Sequence, residues 1–249
     1  LTTNIFNGNI GVNGLVSTHA TTAVFSMALD MKNLDIAQSF EGFDMFKSFV
    51  PILKSLQGKI NTYLTFSGSL DNDLSPILST INGDALAQLL TQDVNAQNNP
   101  LLGKLAQKVS FINLDKFDVS NITAKLNFKD GAVQVAPFDF NIKGIKATAS
   151  GRHSLTNEMD YTLALDLPAK YLGKEGANLL SKLTAEDIDK INVLVPVKFS
   201  GSFLSPRIDL NLDLAVKNLT TQIVEIQKAR LKDKGKEAVN AVYREKYDL

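Results

Sequence analysis

The side chains in this chain that could take part in the most kinds of chemistry are those of two histidines, His19 and His153. Imidazole nitrogens bind transition metals and exchange protons near neutral pH. Each histidine lies in a polar stretch that has no carboxylate or second imidazole at ligand spacing. Both are therefore predicted to be solvent-accessible and far from any metal ion.

Two further patterns match known ligand loops only in part. Gly8, Gly11 and Gly14 form a Gly-x-x-Gly-x-x-Gly string, but no buried strand and helix flank it as a phosphate loop requires. We interpret these glycines as turns or bulges. Residues 71–73 (Asp-Asn-Asp) place three oxygen ligands close together without the glutamate that closes a calcium loop, so they predict a solvated turn.

Three carboxylates, Glu186, Asp187 and Asp189, follow Thr184 closely. Acidic side chains in a first helical turn stabilise the helix dipole, and a preceding threonine suits the capping position. Since no nucleophile stands beside a plausible base, these carboxylates predict a helix start and not an acid–base pair. The chain is predicted to be a non-enzyme that needs no cofactor.

The amino-acid composition limits the classes of binding partner that the sequence predicts. The 249 residues are 44% hydrophobic, which is enough for a sizeable core, and 26 basic residues balance 26 acidic ones. Without a net field, nucleic acid is not an expected partner. Cysteine is absent, which excludes disulfides and thiolate chemistry, and the absence of tryptophan with only five tyrosines disfavours a sugar-stacking site. No apolar run is long enough to predict a transmembrane helix.

Strict alternation of apolar and polar residues is the strongest structural signal. One apolar set occupies alternate positions from Ile122 to Phe128, and Asp130-Gly131 then predicts a tight hairpin turn into Val133 and Val135. Pro137 shifts the alternation to even numbers, as at an edge strand or bulge. Similar alternation recurs at 159–167, 191–199 and 208–214, so each strand has one apolar face, as in antiparallel sheets.

Helical spacing is confined to a few segments. It predicts helices at 35–56, with a break at Pro51, and at 85–90, 101–109 and 169–183. A charged helical stretch begins near residue 218 and has a weak point at Gly235. This last segment is either a solvated terminal helix or an arm that touches a partner or membrane.

An internal duplication is also predicted. The strings Ala-Leu-Asp at 28–30, Phe-Ser-Gly-Ser at 66–69 and Leu-Ser-Pro at 74–76 recur at 164–166, 199–202 and 204–206. A near-constant offset with a helix in each copy favours a repeated strand–helix–strand unit. We predict one domain over 1–216, with pseudo-equivalent halves at about 1–110 and 111–216, followed by a charged helical tail at 217–249.

The ordered motifs of the second half resemble the AsmA-like C-terminal region family. They are the hairpin Phe-Lys-Asp-Gly-Ala-Val through Pro-Phe at 128–138, the strand-to-helix step Leu-Pro-Ala-Lys-Tyr-Leu-Gly at 167–173, and the close Val-Pro-Val through Ile-Asp at 195–209. The resemblance covers 128–209 well and the N-terminal half loosely.

That resemblance implies a fold and a setting. The family has strongly curved, mostly antiparallel sheets, groove-like or taco-like, in an α+β fold with several helices on the apolar face. It includes the TamB-like envelope lipid-transport proteins, whose groove holds acyl chains. The resemblance therefore implies the periplasmic side of the envelope, attachment to the inner membrane through an upstream segment, a role in outer-membrane biogenesis, and phospholipid or another acyl lipid as partner.

A sheet with one apolar face must cover that face with helices or with ligand, which leaves two alternatives open. If a strip stays open, it is a candidate lipid groove. If helices cover it fully, the chain is a scaffold or interaction module for envelope proteins, without lipid cargo. The candidate groove residues are the alternating apolar positions Leu126, Phe128, Val133, Val135, Leu163, Leu165, Val193, Val195, Val197, Phe199, Leu210 and Leu212.

Overall fold

The fold was obtained as a computed structural model. It describes residues 1–19, 21–42, 56–94, 100–108, 120–142, 144–156, 158–181 and 183–247. All statements below concern these residues.

Eleven strands form one sheet. Their bounds are β1 Thr2–Ile5, β2 Gly8–Ser17, β3 Val24–Asp35, β4 Leu56–Ser69, β5 Asn82–Val94, β6 Ser120–Lys129, β7 Ala132–Ile142, β8 Ile145–Ser154, β9 Glu158–Pro168, β10 Asn192–Ser202 and β11 Ser205–Leu210. The strands lie in the sheet in the order in which they occur in the chain. Every pair with a described register is antiparallel, so the prediction of a mostly antiparallel sheet in an α+β fold is confirmed.

The helices lie in the connections and at the end of the chain. They are α1 Ile36–Gly42, α2 Pro100–Lys108, α3 Gly173–Leu180, α4 Ala185–Ile188 and α5 Leu212–Tyr247, with one-turn 3₁₀ helices at Leu78–Thr80 and Ala169–Tyr171. The helices predicted at 101–109 and 169–183 are confirmed by α2 and by the pair Ala169–Tyr171 and α3. None of the described helices is both long and apolar enough to cross a bilayer.

The chain divides into two compact units. The larger unit contains Leu1–Leu165 and Pro196–Leu210, and the smaller unit contains Asp166–Val195 and Asn211–Leu249. The larger unit holds most of the sheet, while the smaller unit holds α3, α4 and α5.

The predicted central hairpin is confirmed. Lys129 and Ala132 are cross-strand partners, and the turn residues Asp130 and Gly131 both have positive φ, as the twist of a two-residue hairpin requires. The β7–β8 register shifts between Val135 and Phe138, which confirms the irregularity predicted around Pro137.

The predicted helix at 35–56 is confirmed only at its start. The Asp35 carboxylate accepts a hydrogen bond from the Gln38 amide at 2.9 Å, which stabilises the first turn of α1. Helix α1 ends at Gly42, and Leu56 already belongs to β4. Residues 43–55, including Pro51, lie outside the described residues.

The helix predicted at 85–90 is wrong, because these residues form the middle of β5. Each of them has a backbone partner on β4, and 85–90 also pair with β6. Pairing on both sides satisfies the backbone donors and acceptors of this segment, and this outweighs the helical propensity of its alanines and leucines.

The strand predicted to continue to residue 214 is also wrong. The Asn211 side-chain oxygen accepts a hydrogen bond from the Leu214 amide at 3.0 Å, which is the geometry of a helix N-cap. Helix α5 therefore starts at Leu212, and Leu212 and Leu214 are helical. The candidate groove residue Leu212 is 38% exposed and does not share a strand face with Leu210.

Gly8, Gly11 and Gly14 lie within β2, which corrects their interpretation as turns or bulges. A Cβ atom at Gly14 would approach the Ser26 carbonyl oxygen to 2.8 Å, and one at Gly8 would approach the Leu34 amide to 2.7 Å. Glycine is needed at Gly8 and Gly14 because β3 lies too close there for a side chain, whereas Gly11 has room for one.

Candidate apolar binding face

The cross-strand register arranges the apolar side of the larger unit in rows. Directly opposed residues point to the same side of a sheet, so each row crosses several strands on one face. One row contains Met27, Phe66, Gly83, Phe128, Val133 and His153, and the next contains Val12, Leu29, Leu64, Ala85, Leu126, Val135 and Gly151. We call this side the apolar face.

The apolar face carries no ionisable carboxylate, ammonium or guanidinium group among the described residues of the larger unit. Charged side chains occupy the alternate positions of the same strands and point to the opposite side of the sheet, as Asp84 does on β5 and Lys125 on β6. Both of these residues are exposed. A surface of this chemistry favours hydrocarbon and disfavours charged or strongly polar ligands.

Two buried clusters occupy parts of the apolar face. The first packs around α1 and contains Ile10, Met31, Leu34, Ile36, Leu56 and Ile60. The second extends from β3 to the end of β8, includes Leu70 and Ile81 from the connection between β4 and β5, and has Phe25 and Phe66 in edge contact at 5.5 Å. Leu29 and Ala87 pack against both clusters and are only partly buried. The apolar face is therefore less completely covered between the clusters.

A lane of small residues follows β5 at this place. Its floor is made of the small residues Gly83, Ala85 and Ala87, all of which are partly exposed. Buried side chains of the flanking strands form its walls: Leu64 and Phe66 on β4, and Leu126 and Phe128 on β6. The strands that carry the walls are two strand spacings apart, or about 10 Å. We call this feature the β5 trough.

Most of the residues predicted to line a groove are buried. In the larger unit, the buried residues are Leu126, Phe128, Val133, Leu163, Leu165, Val197 and Phe199, and Val135 and Leu210 are partly exposed. In the smaller unit, Val193 and Val195 are buried. The β5 trough brings together two of the predicted residues, Leu126 and Phe128, which form one of its walls.

The floor of the trough was missed from the sequence. The sequence pattern predicts a helix at Ala85 and Ala87, and it singles out Leu29 only as part of a repeat. The available signal was the alternation of Ala85, Ala87 and Leu89 with Asp84, Leu86 and Gln88. Leu86 obscures this pattern because it points away from the apolar face and is 46% exposed.

One polar cluster interrupts the apolar face. His153 is 3% exposed, so the prediction that it is solvent-accessible is wrong, whereas His19 is exposed as predicted. The His153 Nδ1 atom and the Tyr161 hydroxyl are 2.9 Å apart, and the Phe203 ring stands edge-on to the imidazole at 5.4 Å. Burial raises the pKa of Tyr161, so its hydroxyl stays neutral. The pair supplies a satisfied hydrogen bond inside an aromatic cluster.

The smaller unit contains a separate charged cluster. Thr184, just before α4, donates a hydrogen bond from its hydroxyl to the Asp187 carboxylate at 2.7 Å, and Arg230 of α5 pairs with the same carboxylate. The Thr184 hydrogen bond, which is the largest cause, and the Arg230 charge hold the pKa of Asp187 below its usual value, against the opposing effect of desolvation. Asp187 therefore ties α4 to the middle of α5.

Replacing Asp187 with Asn should loosen α5 around Arg230. A carboxyl group with a lowered pKa in the folded protein stabilises the fold above its unfolded value near 4 and ceases to do so as pH falls through the folded pKa. Amide hydrogen exchange along α5 should therefore be faster in the variant at neutral pH and equal in both proteins in strong acid. Glu225→Gln is the control because its partner Lys228 is 62% exposed, so exchange should not change. Equal exchange in wild type and Asp187→Asn at neutral pH would contradict this role.

The described residues contain no group of three or more histidine, aspartate or glutamate side chains placed to hold a metal ion. Comparison of the chain with family models, with curated proteins and with solved structures finds no match.

Proposed function

We propose that this chain is a non-enzymatic module that binds one acyl chain of a lipid in the β5 trough. The observation that carries the proposal is a partly exposed lane of small residues between buried walls, on a face without charged groups. A space about 10 Å wide between backbones suits a single hydrocarbon chain lying along the strand. The AsmA-like resemblance, in which apolar grooves hold acyl chains, supports the same proposal.

The energetics favour reversible binding. Burying a methylene group contributes about 0.8 kcal/mol, both in a protein groove and in a bilayer. A chain that moves from membrane to trough therefore exchanges one apolar environment for another with little net change. Such a balance allows a module to accept and release lipid, which is what transfer within a cell envelope requires. We propose the periplasmic side of the inner membrane as its location, with attachment through an upstream segment.

We further propose that the sheet is curved and that its two halves are related. Within the larger unit, α2 follows β5 but packs against β11, where the Lys104 ammonium donates to the Pro206 carbonyl at 2.9 Å. A contact between elements six strands apart in sheet order supports curvature. The predicted repeats fall on β3 with β4 and on β9 with β10, each an adjacent pair joined by a helical connection.

The test is to fill the trough without disturbing the outer side of the same strand. Ala87→Phe adds a ring to the floor, so we expect at least a several-fold loss of co-purifying acyl lipid, measured by solvent extraction and mass spectrometry, and a similar loss of cis-parinaric acid binding by fluorescence. Leu86→Phe adds similar bulk on the opposite face and should retain both signals. Circular dichroism melting should show that both variants fold.

Two outcomes would overturn the proposal. The first is that wild-type protein carries no acyl lipid and fails to bind cis-parinaric acid. The second is that the folded Ala87→Phe variant binds as well as Leu86→Phe does. Either result would leave the scaffold function, in which the apolar face serves only as a core, as the better account.

A further inference from the structure

Beyond Arg230, the residues of helix α5 whose side chains the structure describes, 231–237, leave the core of the smaller unit and are exposed. Ala215, Leu219 and Ile223 are buried at spacings of four residues, which marks the face that packs. Arg230 is the last residue along this helix with a described inward partner, Asp187. Every residue from 231 to 237 is exposed. We call residues 224–237 the arm.

Basic residues dominate the arm. The arm contains five basic residues and three acidic residues, in a chain whose total charge is zero. Lys228, Lys232 and Lys236 recur every fourth residue, so at about 100° per residue they form one stripe along the helix. Asp233 and Glu237 lie about 100° and 140° around the helix from Lys232. The stripe therefore places three positive charges on one side of the helix, where Glu225 also lies.

Apolar side chains accompany the lysine stripe. Val224 and Leu231 are separated by two helical turns and flank Lys228, and they are 40% and 71% exposed. Exposed leucine and valine next to lysines suit the boundary between headgroups and acyl chains better than a nucleic-acid backbone or an acidic protein surface, since these offer no apolar layer for the leucine to enter.

We propose that the arm docks the protein on an anionic bilayer surface through Lys228, Lys232 and Lys236, with Leu231 entering the interface. Each lysine near such a surface contributes on the order of 1 kcal/mol, so three lysines give reversible attachment without a membrane-spanning helix. Glu225 lies 3.0 Å from the Lys228 ammonium and offsets part of that attraction. This docking is independent of acyl-chain binding in the β5 trough.

The test measures co-sedimentation of the whole chain with vesicles. We expect binding to phosphatidylcholine vesicles that contain phosphatidylglycerol, little binding to phosphatidylcholine alone, and release between about 0.1 M and about 1 M salt, where the Debye length falls from about 10 Å to about 3 Å. The triple variant Lys228→Gln, Lys232→Gln and Lys236→Gln should bind on the order of a hundredfold more weakly. Leu231→Ser should lower the binding that remains in salt.

The matched control removes three exposed lysines elsewhere by the changes Lys125→Gln, Lys129→Gln and Lys146→Gln, so the net charge of the two triple variants is equal. This control and Ala87→Phe should both bind vesicles as wild type does. Equal weakening in both triple variants, equal binding to the two kinds of vesicle, or lysine-dependent binding to a DNA duplex but not to vesicles would each overturn the proposal.

Discussion

Replacing Val195 with Asp is expected to unfold the protein. Val195 lies within β10 and has no solvent exposure. An ionised carboxylate at this position would lose its hydration without gaining a partner, at a cost of about 4 kcal/mol or more. That is a large fraction of the roughly 5 to 15 kcal/mol by which domains are stable. The measurement is far-UV circular dichroism during urea denaturation.

The neighbouring residue supplies the control. Leu194 occupies the same strand, points to the opposite side and is 53% exposed. Leu194→Asp should change the free energy of unfolding by no more than about 0.5 kcal/mol. A cooperative transition at the wild-type urea concentration in Val195→Asp would show that water reaches this position, and would contradict its burial.

Replacing Gly83 with Ala should have the second largest effect. A Cβ atom at Gly83 would collide with the Thr65 carbonyl oxygen and come within 2.7 Å of the Phe66 Cα. Both obstacles are backbone atoms of the paired strand β4, so no side-chain rotation relieves the clash. We expect a loss of about 3 kcal/mol, at the upper end of the range for overpacking, measured by equilibrium urea denaturation.

Gly103→Ala is the matched control for this substitution. A Cβ atom at Gly103, in helix α2, meets nothing within 4 Å. Alanine is favoured over glycine inside helices by roughly 1 kcal/mol, so this variant should be as stable as wild type or more stable. If Gly83→Ala were equally stable, β4 and β5 could not approach as closely as the structure places them.

The strands were predictable from the sequence where large apolar residues alternate with polar ones. Residues 122–128 and the Asp130-Gly131 turn gave the central hairpin because side-chain period and turn chemistry agree there. Pro137 gave the irregularity in β7 because proline lacks the amide proton that a regular ladder uses.

β5 was not predictable in the same way. Its apolar-face positions Ala85 and Ala87 are small and lie between larger residues such as Leu64 and Leu126 on the adjacent strands, while the larger Leu86 faces outward. A single-sequence pattern assumes that the larger apolar residue faces the core. In β5 the residues on the paired strands determine which face is buried, and those residues are far away in the sequence.

The structure differs from the sequence prediction in two other places, at residues 208–214 and at His153. The alternation at 208–214 fits a strand throughout, but Asn211 caps α5 with its side chain and ends the strand at Leu210. His153 sits in a polar stretch, yet Tyr161 and Phe203 surround its imidazole. The Asn211 cap is a local signal, three residues before Leu214, that the apolar alternation obscures, whereas strand pairing and a turn bring Tyr161 and Phe203 to His153.

The uncrossed strand order has a consequence for how the chain acquires its structure. Because each strand pairs with the strand just before it, most strand contacts close short loops, which keeps the contact order low for a protein rich in sheet. A nascent chain can therefore add strands one at a time from its N-terminus, and no early strand must wait for a partner made much later. With the same strand connectivity, a hairpin could be added to or removed from the sheet during evolution without disturbing the other strand pairs.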